Sequence, residues 1–263
     1  MKCCAWRVKA EQFCVELVQG QFVGIILAFS LVEIIKSLKA GGYNVNVAVP
    51  ITYFVAYYPL YLLYGWTGIA YAVILATLVA LVCFTFAEKQ GISDMIASVF
   101  TVIYPGVFLT AFSAINHGYL GITGIVFVFV VSMLTDTMAY FVGVLFGKHK
   151  LCPKISPKKT VEGLIGGFIG GIGGAMLTYW ICTALVGNVP AIPGIDQWVF
   201  YAIAGCIGAA VNTVGDLIAS RIKRAVGIKD FGTIFPGHGG FMDRMDGLCC
   251  VALVLAIALE VIV

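Results

Sequence analysis

Apolar residues form long blocks along this chain, and polar residues gather in the short gaps between them. A membrane-crossing helix needs about 20 mostly apolar residues. The pattern predicts such helices over roughly 15–35, 47–64, 66–86, 95–115, 121–146, 161–186, 197–219 and 247–263. About eight transmembrane helices follow, so the fold class is an all-α polytopic membrane protein, and one integral membrane domain over 1–263 is the simplest organisation.

Composition supports this. The chain is 61% hydrophobic and only 11% charged, against about 25% charged in a soluble domain. The nine cysteines show no metal-binding spacing, and several fall inside apolar spans, where a thiol acts as a small hydrophobe. No disulfide framework is predicted. The run Met1–Gln21 contains Glu11 and Glu16 and no clear apolar core, so no cleavable signal peptide is expected.

Charge adds an orientation. Five Lys and Arg lie between Lys148 and Lys159 and five more between Arg221 and Arg244. Short basic loops face the cytoplasm. Glu88-Lys89 and Lys36–Lys39 fall on the same side, while the opposite loops, near Asn116-His117 and Gly187–Asp196, contain no Lys or Arg. Lys2, Arg7 and Lys9 break the pattern. Either Met1–Gln21 lies on the cytoplasmic surface, or a helix has been lost from this end.

The run Gly163–Gly174 carries two glycine rows at i, i+4 spacing: Gly163, Gly167, Gly171 and Gly166, Gly170, Gly174. No Lys and Ser/Thr follow it as a phosphate loop requires. The rows predict close helix packing in lipid.

The candidate chemistry sits at the ends of the later spans. Asn212, Asp216 and Ser220 recur every four residues, with Lys223 three later, on one helical face. An Asp inside a span is costly and by default marks a pathway or an ion site. Asp243 and Asp246 are three apart where the last span begins. Converging carboxylates repel unless a cation sits between them, and hard oxygen ligands suit Mg²⁺. Pro236-Gly-His-Gly-Gly240 is a loop of little bulk that can bring backbone N–H groups to phosphate oxygens, with His238 as a donor. In the other basic loop, Ser156-Pro157 predicts a turn. Lys158, Lys159 and Thr160 are then expected at a helix start that favours anions. Ser132, Asp136 and Tyr140 form a further polar stripe. Three polar faces thus predict a cavity open to the cytoplasmic side, fit for a nucleoside triphosphate with Mg²⁺ or another polyphosphate.

Ser220-x-x-Lys223-Arg224-x4-Lys229-Asp230-x-Gly232-x3-Pro236-Gly-His-Gly-Gly240-x-x-Asp243-Arg244-x-Asp246 resembles the defining motif of the phosphatidate cytidylyltransferases, or CDP-diacylglycerol synthases, over 27 positions. Asp136-Thr-x-Ala-Tyr140-x-x-Gly143, Gly147-Lys148 and Ser156-Pro-Lys-Lys-Thr160-x-Glu162-Gly163 resemble that family's earlier blocks. The resemblance runs from about Asp94 to the C-terminus. It implies N-terminal helices over 1–115 and a catalytic region over 116–263, with the motif at 220–246.

The implied reaction is CTP plus phosphatidic acid giving CDP-diacylglycerol and pyrophosphate. It would occur at the cytoplasmic face of the plasma membrane, with Mg²⁺ and a second cation, in a homodimer and without nucleic acid. The implied catalytic residues are Asp216, Lys223, Asp243 and Asp246, the three carboxylates holding metal. The expected substrate contacts are Asp136, Lys148, Ser156, Lys158, Lys159, Thr160, Ser220, Arg221, Arg224, His238 and Arg244. Two related activities share these features: a CTP-dependent polyprenol or dolichol kinase, and an ether-lipid cytidylyltransferase. A cation transporter using Asp136 and Asp216 would not need a His-Gly-Gly turn among clustered basic residues.

Overall fold

The computed structural model describes residues 2–118, 120–186, 196–234, 237 and 239–262, with side chains from residue 20 to residue 261. His238 therefore lies outside the described residues. The helices are α1 (Lys2–Ala40), α2 (Ala48–Tyr64), α3 (Trp66–Phe86), α4 (Ile92–Thr101), α5 (Phe108–His117), α6 (Ile122–Phe146), α7 (Val161–Val186), α8 (Gln197–Ala225) and α9 (Met242–Ile262). A π-helical segment, Val102–Val107, joins α4 to α5 and contains Pro105, so that span is one kinked rod.

Among the described residues, six stretches are long and apolar enough to cross a membrane: within α1 from Gly20, α3, α4 through α5, α6, α7 up to Leu185, and α8. The 17-residue α2 and the 21-residue α9, with Asp243 in its first turn, are the other two helices of near-spanning length. Large apolar side chains such as Phe22, Leu63, Phe86, Leu145 and Trp180 point outwards. In lipid, that is where apolar surface belongs, and every helix satisfies its own backbone.

The glycine rows of α7 do pack helices. A Cβ on Gly166 would lie 2.9 Å from the Met138 carbonyl oxygen, and one on Gly174 would lie 3.1 Å from that of Val130. Gly170 meets Leu134 in the same row. The second row faces both α6 and α8: Gly167 meets Thr135 and Ala139, and Gly171 meets Ala209 and the Gly205 carbonyl. The contact between α6 and α7 is the most extensive in the molecule, as close backbone approach without side-chain bulk allows.

One expectation needs correction. Ser156-Pro157 is not a turn, and Lys158–Thr160 do not begin a helix. Strand β1 (Lys150–Cys152) pairs antiparallel with strand β2 (Ser156–Thr160), and α7 starts one residue later. The turn falls at Cys152–Ile155, closed by the Ile155 N–H on the Cys152 carbonyl at 3.1 Å. Strand pairing gives this short segment partners for backbone groups that a helix start would leave bare.

Candidate active site

The hairpin is tied down at its base. The Glu162 carboxylate accepts the backbone N–H of Lys148 at 3.1 Å and of His149 at 3.2 Å, and lies 2.7 Å from His149 Nδ1. Thr160 Oγ1 accepts the Gly163 N–H at 3.1 Å, capping α7 with the protein's own oxygen. Lys150 and Lys158 stay exposed. Lys159 crosses to α8, where its Nζ lies 2.6 Å from Asp216 Oδ2 and donates to the Thr213 carbonyl at 3.3 Å.

The polar face of α8 holds together as its spacing predicts. Ser220 Oγ donates to Asp216 Oδ1 at 3.3 Å. One turn earlier, Asn212 Nδ2 donates to Asp136 Oδ1 of α6 at 2.7 Å. Asn212 Oδ1 is buried and has no hydrogen-bond partner. Two glycines let α9 touch α8 backbone to backbone. A Cβ on Gly215 would sit 2.8 Å from the Asp246 carbonyl oxygen, and one on Gly247 would sit 2.8 Å from that of Asn212. This contact brings Asp246 within electrostatic reach of Asp216 and Asp136.

Between the hairpin and these helices lies a cavity of about 510 Å³, lined by Asp136, Tyr140, Ser156, Lys158, Lys159 and Asp216 among others. Smaller apolar recesses elsewhere carry almost no polar surface. This one holds both signs of charge, as a site for a polyanion and its counter-cation must.

Asp243 is placed differently. Its Oδ1 receives Lys223 Nζ at 2.7 Å, and its Oδ2 accepts the N–H groups of Phe231 at 2.8 Å and Gly240 at 2.9 Å. The Asp243 side chain is 7% exposed and that of Lys223 13%. Lys223 Nζ also lies 5.2 Å from the centroid of the Phe231 ring. A carboxylate has about four acceptor positions, and three of these are occupied by the loop and Lys223. The loop's amides are likewise engaged with carboxylates: Phe241 and Met242 donate to Glu33 of α1.

The sequence-predicted residues therefore separate into groups. Asp136, Ser156, Lys158, Lys159, Thr160 and Asp216 meet at the cavity. Ser220 and Asp246 adjoin Asp216, and Lys223 and Asp243 form a buried pair beneath the glycine loop. Lys148, Arg221, Arg224 and Arg244 are exposed and do not line the cavity. Sequence reasoning missed Glu33, Gly215 and Gly247. Glu33 had a signal: it is an acid inside an apolar span, the argument applied to Asp216.

The donor chemistry suits a hard cation. Asp216, Asp246 and the unpartnered Asn212 Oδ1 are all oxygen donors on one face of the α8–α9 contact. Among the described residues no three Asp, Glu, His or Cys converge on one point. Mg²⁺ commonly takes only one or two carboxylates and completes its shell with phosphate oxygens and water.

The chain matches the cytidylyltransferase family model over residues 10–262, well beyond the region in which the motifs are visible. It is 36% identical to a phosphatidate cytidylyltransferase of Mycobacterium bovis over 172 residues, covering 65% of this chain and 52% of that protein. A phosphatidate cytidylyltransferase of Staphylococcus saprophyticus is 38% identical over 185 residues, 68% of this chain and 65% of its own length. One from Brucella abortus is 40% identical over 156 residues, 57% of this chain and 54% of its own. The chain thus spans between about half and two thirds of the curated relatives it matches. Matched by that family's model over residues 10–262, the chain belongs to the cytidylyltransferase family.

Proposed function

We propose that this protein transfers the cytidylyl group of CTP to phosphatidic acid, releasing pyrophosphate and forming CDP-diacylglycerol. The observation that carries the reading is the Lys159–Asp216 contact of 2.6 Å, which joins the basic hairpin to the carboxylate helix at the cavity wall. The lipid phosphate is already an anionic nucleophile, so no Ser, Cys or His nucleophile is needed. The barrier lies in bringing two polyanions together and in stabilising the leaving pyrophosphate. Positioning and charge neutralisation dominate such transfers.

In this reading Lys150, Lys158 and Lys159 hold phosphate oxygens of CTP. Asp216 and Asp246 hold Mg²⁺, with the Asn212 oxygen beside them. When bound, Mg²⁺ supplies neutralisation of phosphate charge as a Lewis acid. Asp243 and Lys223 fix the glycine loop against the start of α9. The acyl chains stay in the bilayer while the head group enters the polar cavity.

The charge of the two basic loops supports a site on the cytoplasmic side; the plasma membrane follows from the family resemblance. The second cation and the homodimer rest on the family resemblance alone. The test is a thin-layer assay of purified protein with radiolabelled CTP and phosphatidic acid, with and without Mg²⁺. Labelled CDP-diacylglycerol only with Mg²⁺ is the expected result. Label transferred to a polyprenol, or no lipid product, overturns the reading.

A further inference from the structure

The α1 helix runs beside the glycine loop, and its only described carboxylate points into that loop. Glu33 is 4% exposed. Its Oε1 accepts the Phe241 N–H at 2.9 Å, and its Oε2 accepts the Met242 N–H at 2.8 Å. These are among the donors that the start of α9 would otherwise leave bare. A carboxylate there also faces the positive end of the helix dipole. With Gly240 donating to Asp243, three successive amides are each held by a carboxylate.

A second observation is independent of these bonds. The loop glycines in the left-handed region are Gly227, Gly237 and Gly239, and Gly232 and Gly240 are not among them. Backbone conformation therefore does not require glycine at 232 or 240. Space does. A Cβ on Gly240 would lie 2.6 Å from Glu33 Oε1, and one on Gly232 would overlap the same oxygen. One turn along α1, Ser37 Oγ lies 3.3 Å from the Phe231 carbonyl oxygen. The Phe29 and Phe241 rings lie 6.4 Å apart.

We propose that Glu33 is a positioning residue for the transfer site, the buried template around which the glycine loop and the first turn of α9 are folded. Its carboxylate occupies the space that Gly232 and Gly240 leave open and fixes the amides next to Asp243. It touches no substrate, and it acts through the placement of Asp243 and Asp246. The activity arm of its test rests on the reading above; the exchange arm does not.

The test uses the full chain in lipid nanodiscs as wild type, Glu33→Gln, Gly240→Ala and Ser30→Ala. Ser30 lies on the same helix, one turn before Glu33. Amide hydrogen exchange is followed over residues 240–242, with kcat and KM for CTP measured alongside. Gln keeps one carbonyl acceptor, so one amide loses its partner. Exchange there should accelerate on the order of tenfold or more. The kcat should fall by about tenfold, with KM for CTP changed less than about twofold because the lysine cavity is intact. Gly240→Ala, which pushes on the same carboxylate, should show the same exchange pattern even if Glu33→Gln is poorly recovered. Ser30→Ala should match wild type in both arms. Unchanged exchange at 240–242 in both test variants overturns the proposal, as does wild-type kcat in Glu33→Gln. A wild type that makes no product sinks the cytidylyl-transfer reading, while exchange still decides the role of Glu33.

Discussion

The two basic segments, 148–159 and 221–244, carry five Lys and Arg each, and deploy them in opposite ways. In the hairpin the backbone satisfies itself through strand pairing, and Lys150, Lys158 and Lys159 line a cavity. In the glycine loop the backbone leans on two buried carboxylates, Glu33 and Asp243. Lys223, in the last turn of α8, is paired with Asp243. Equal charge therefore does not mean equal role. One loop presents charge to a ligand, and the other uses charge to hold its own shape.

Asp216 receives Lys159 of the hairpin and lies within electrostatic reach of Asp246 in the first turns of α9, so it gives the sharpest test. Asp216→Asn removes the partner of Lys159 and a proposed cation ligand. CDP-diacylglycerol formation should fall on the order of a hundredfold or more. The thermal midpoint should barely move, since the side chain is 33% exposed. Wild-type turnover across a Mg²⁺ titration would separate the hairpin from the chemistry.

Asp243→Asn tests the other loop. It breaks a pair that is almost fully buried, and losing one partner of such a pair costs about 3–5 kcal/mol. Stability and turnover should fall together, and added Mg²⁺ should restore neither. Recovery at high Mg²⁺ would return Asp243 to the cation ligands and blur the contrast.

A smaller effect is expected at the hairpin base. Glu162→Gln weakens the tie to His149 and to two backbone amides, so the lysines should be held less firmly. KM for CTP should rise by about threefold with kcat little changed. An equal loss of stability and kcat would mean that the hairpin supports the fold as the glycine loop does. Smallest of all, single cysteines at 154 and 229, one in each loop and both exposed, should leave turnover unaltered. Both should resist an impermeant thiol reagent applied to intact cells. Efficient labelling of either would break the shared cytoplasmic placement.

Much of the scaffold was legible because span length and apolar blocks are local properties. The predicted 66–86 and 161–186 match α3 and α7 at both ends, and the glycine rows of α7 were readable as packing. The predicted 15–35 is part of a longer α1, and 95–115 is a kinked rod, because a proline inside a span does not announce how the neighbouring turns adjust. The hairpin escaped notice since three- and five-residue strands show no usable periodicity. In the site, the i, i+4 spacing of Asn212, Asp216 and Ser220 placed them correctly on one face. It could not show that Asp243 is occupied, because two of its partners are backbone N–H groups, which every residue but proline carries. The role of Glu33 was hidden for the same reason: the residue stands out as an acid in an apolar span, but its partners are amides far along the chain.

That distance has a consequence for biosynthesis. Glu33 and Phe241 are 208 residues apart. At about 5–20 residues per second, roughly 10–40 seconds separate the ribosome's addition of the first from that of the second. Throughout that interval α1 must reside in the membrane with an acid whose eventual amide donors have not been made. A nascent chain stalled before residue 241 thus carries a carboxylate within a hydrophobic helix before its amide donors exist.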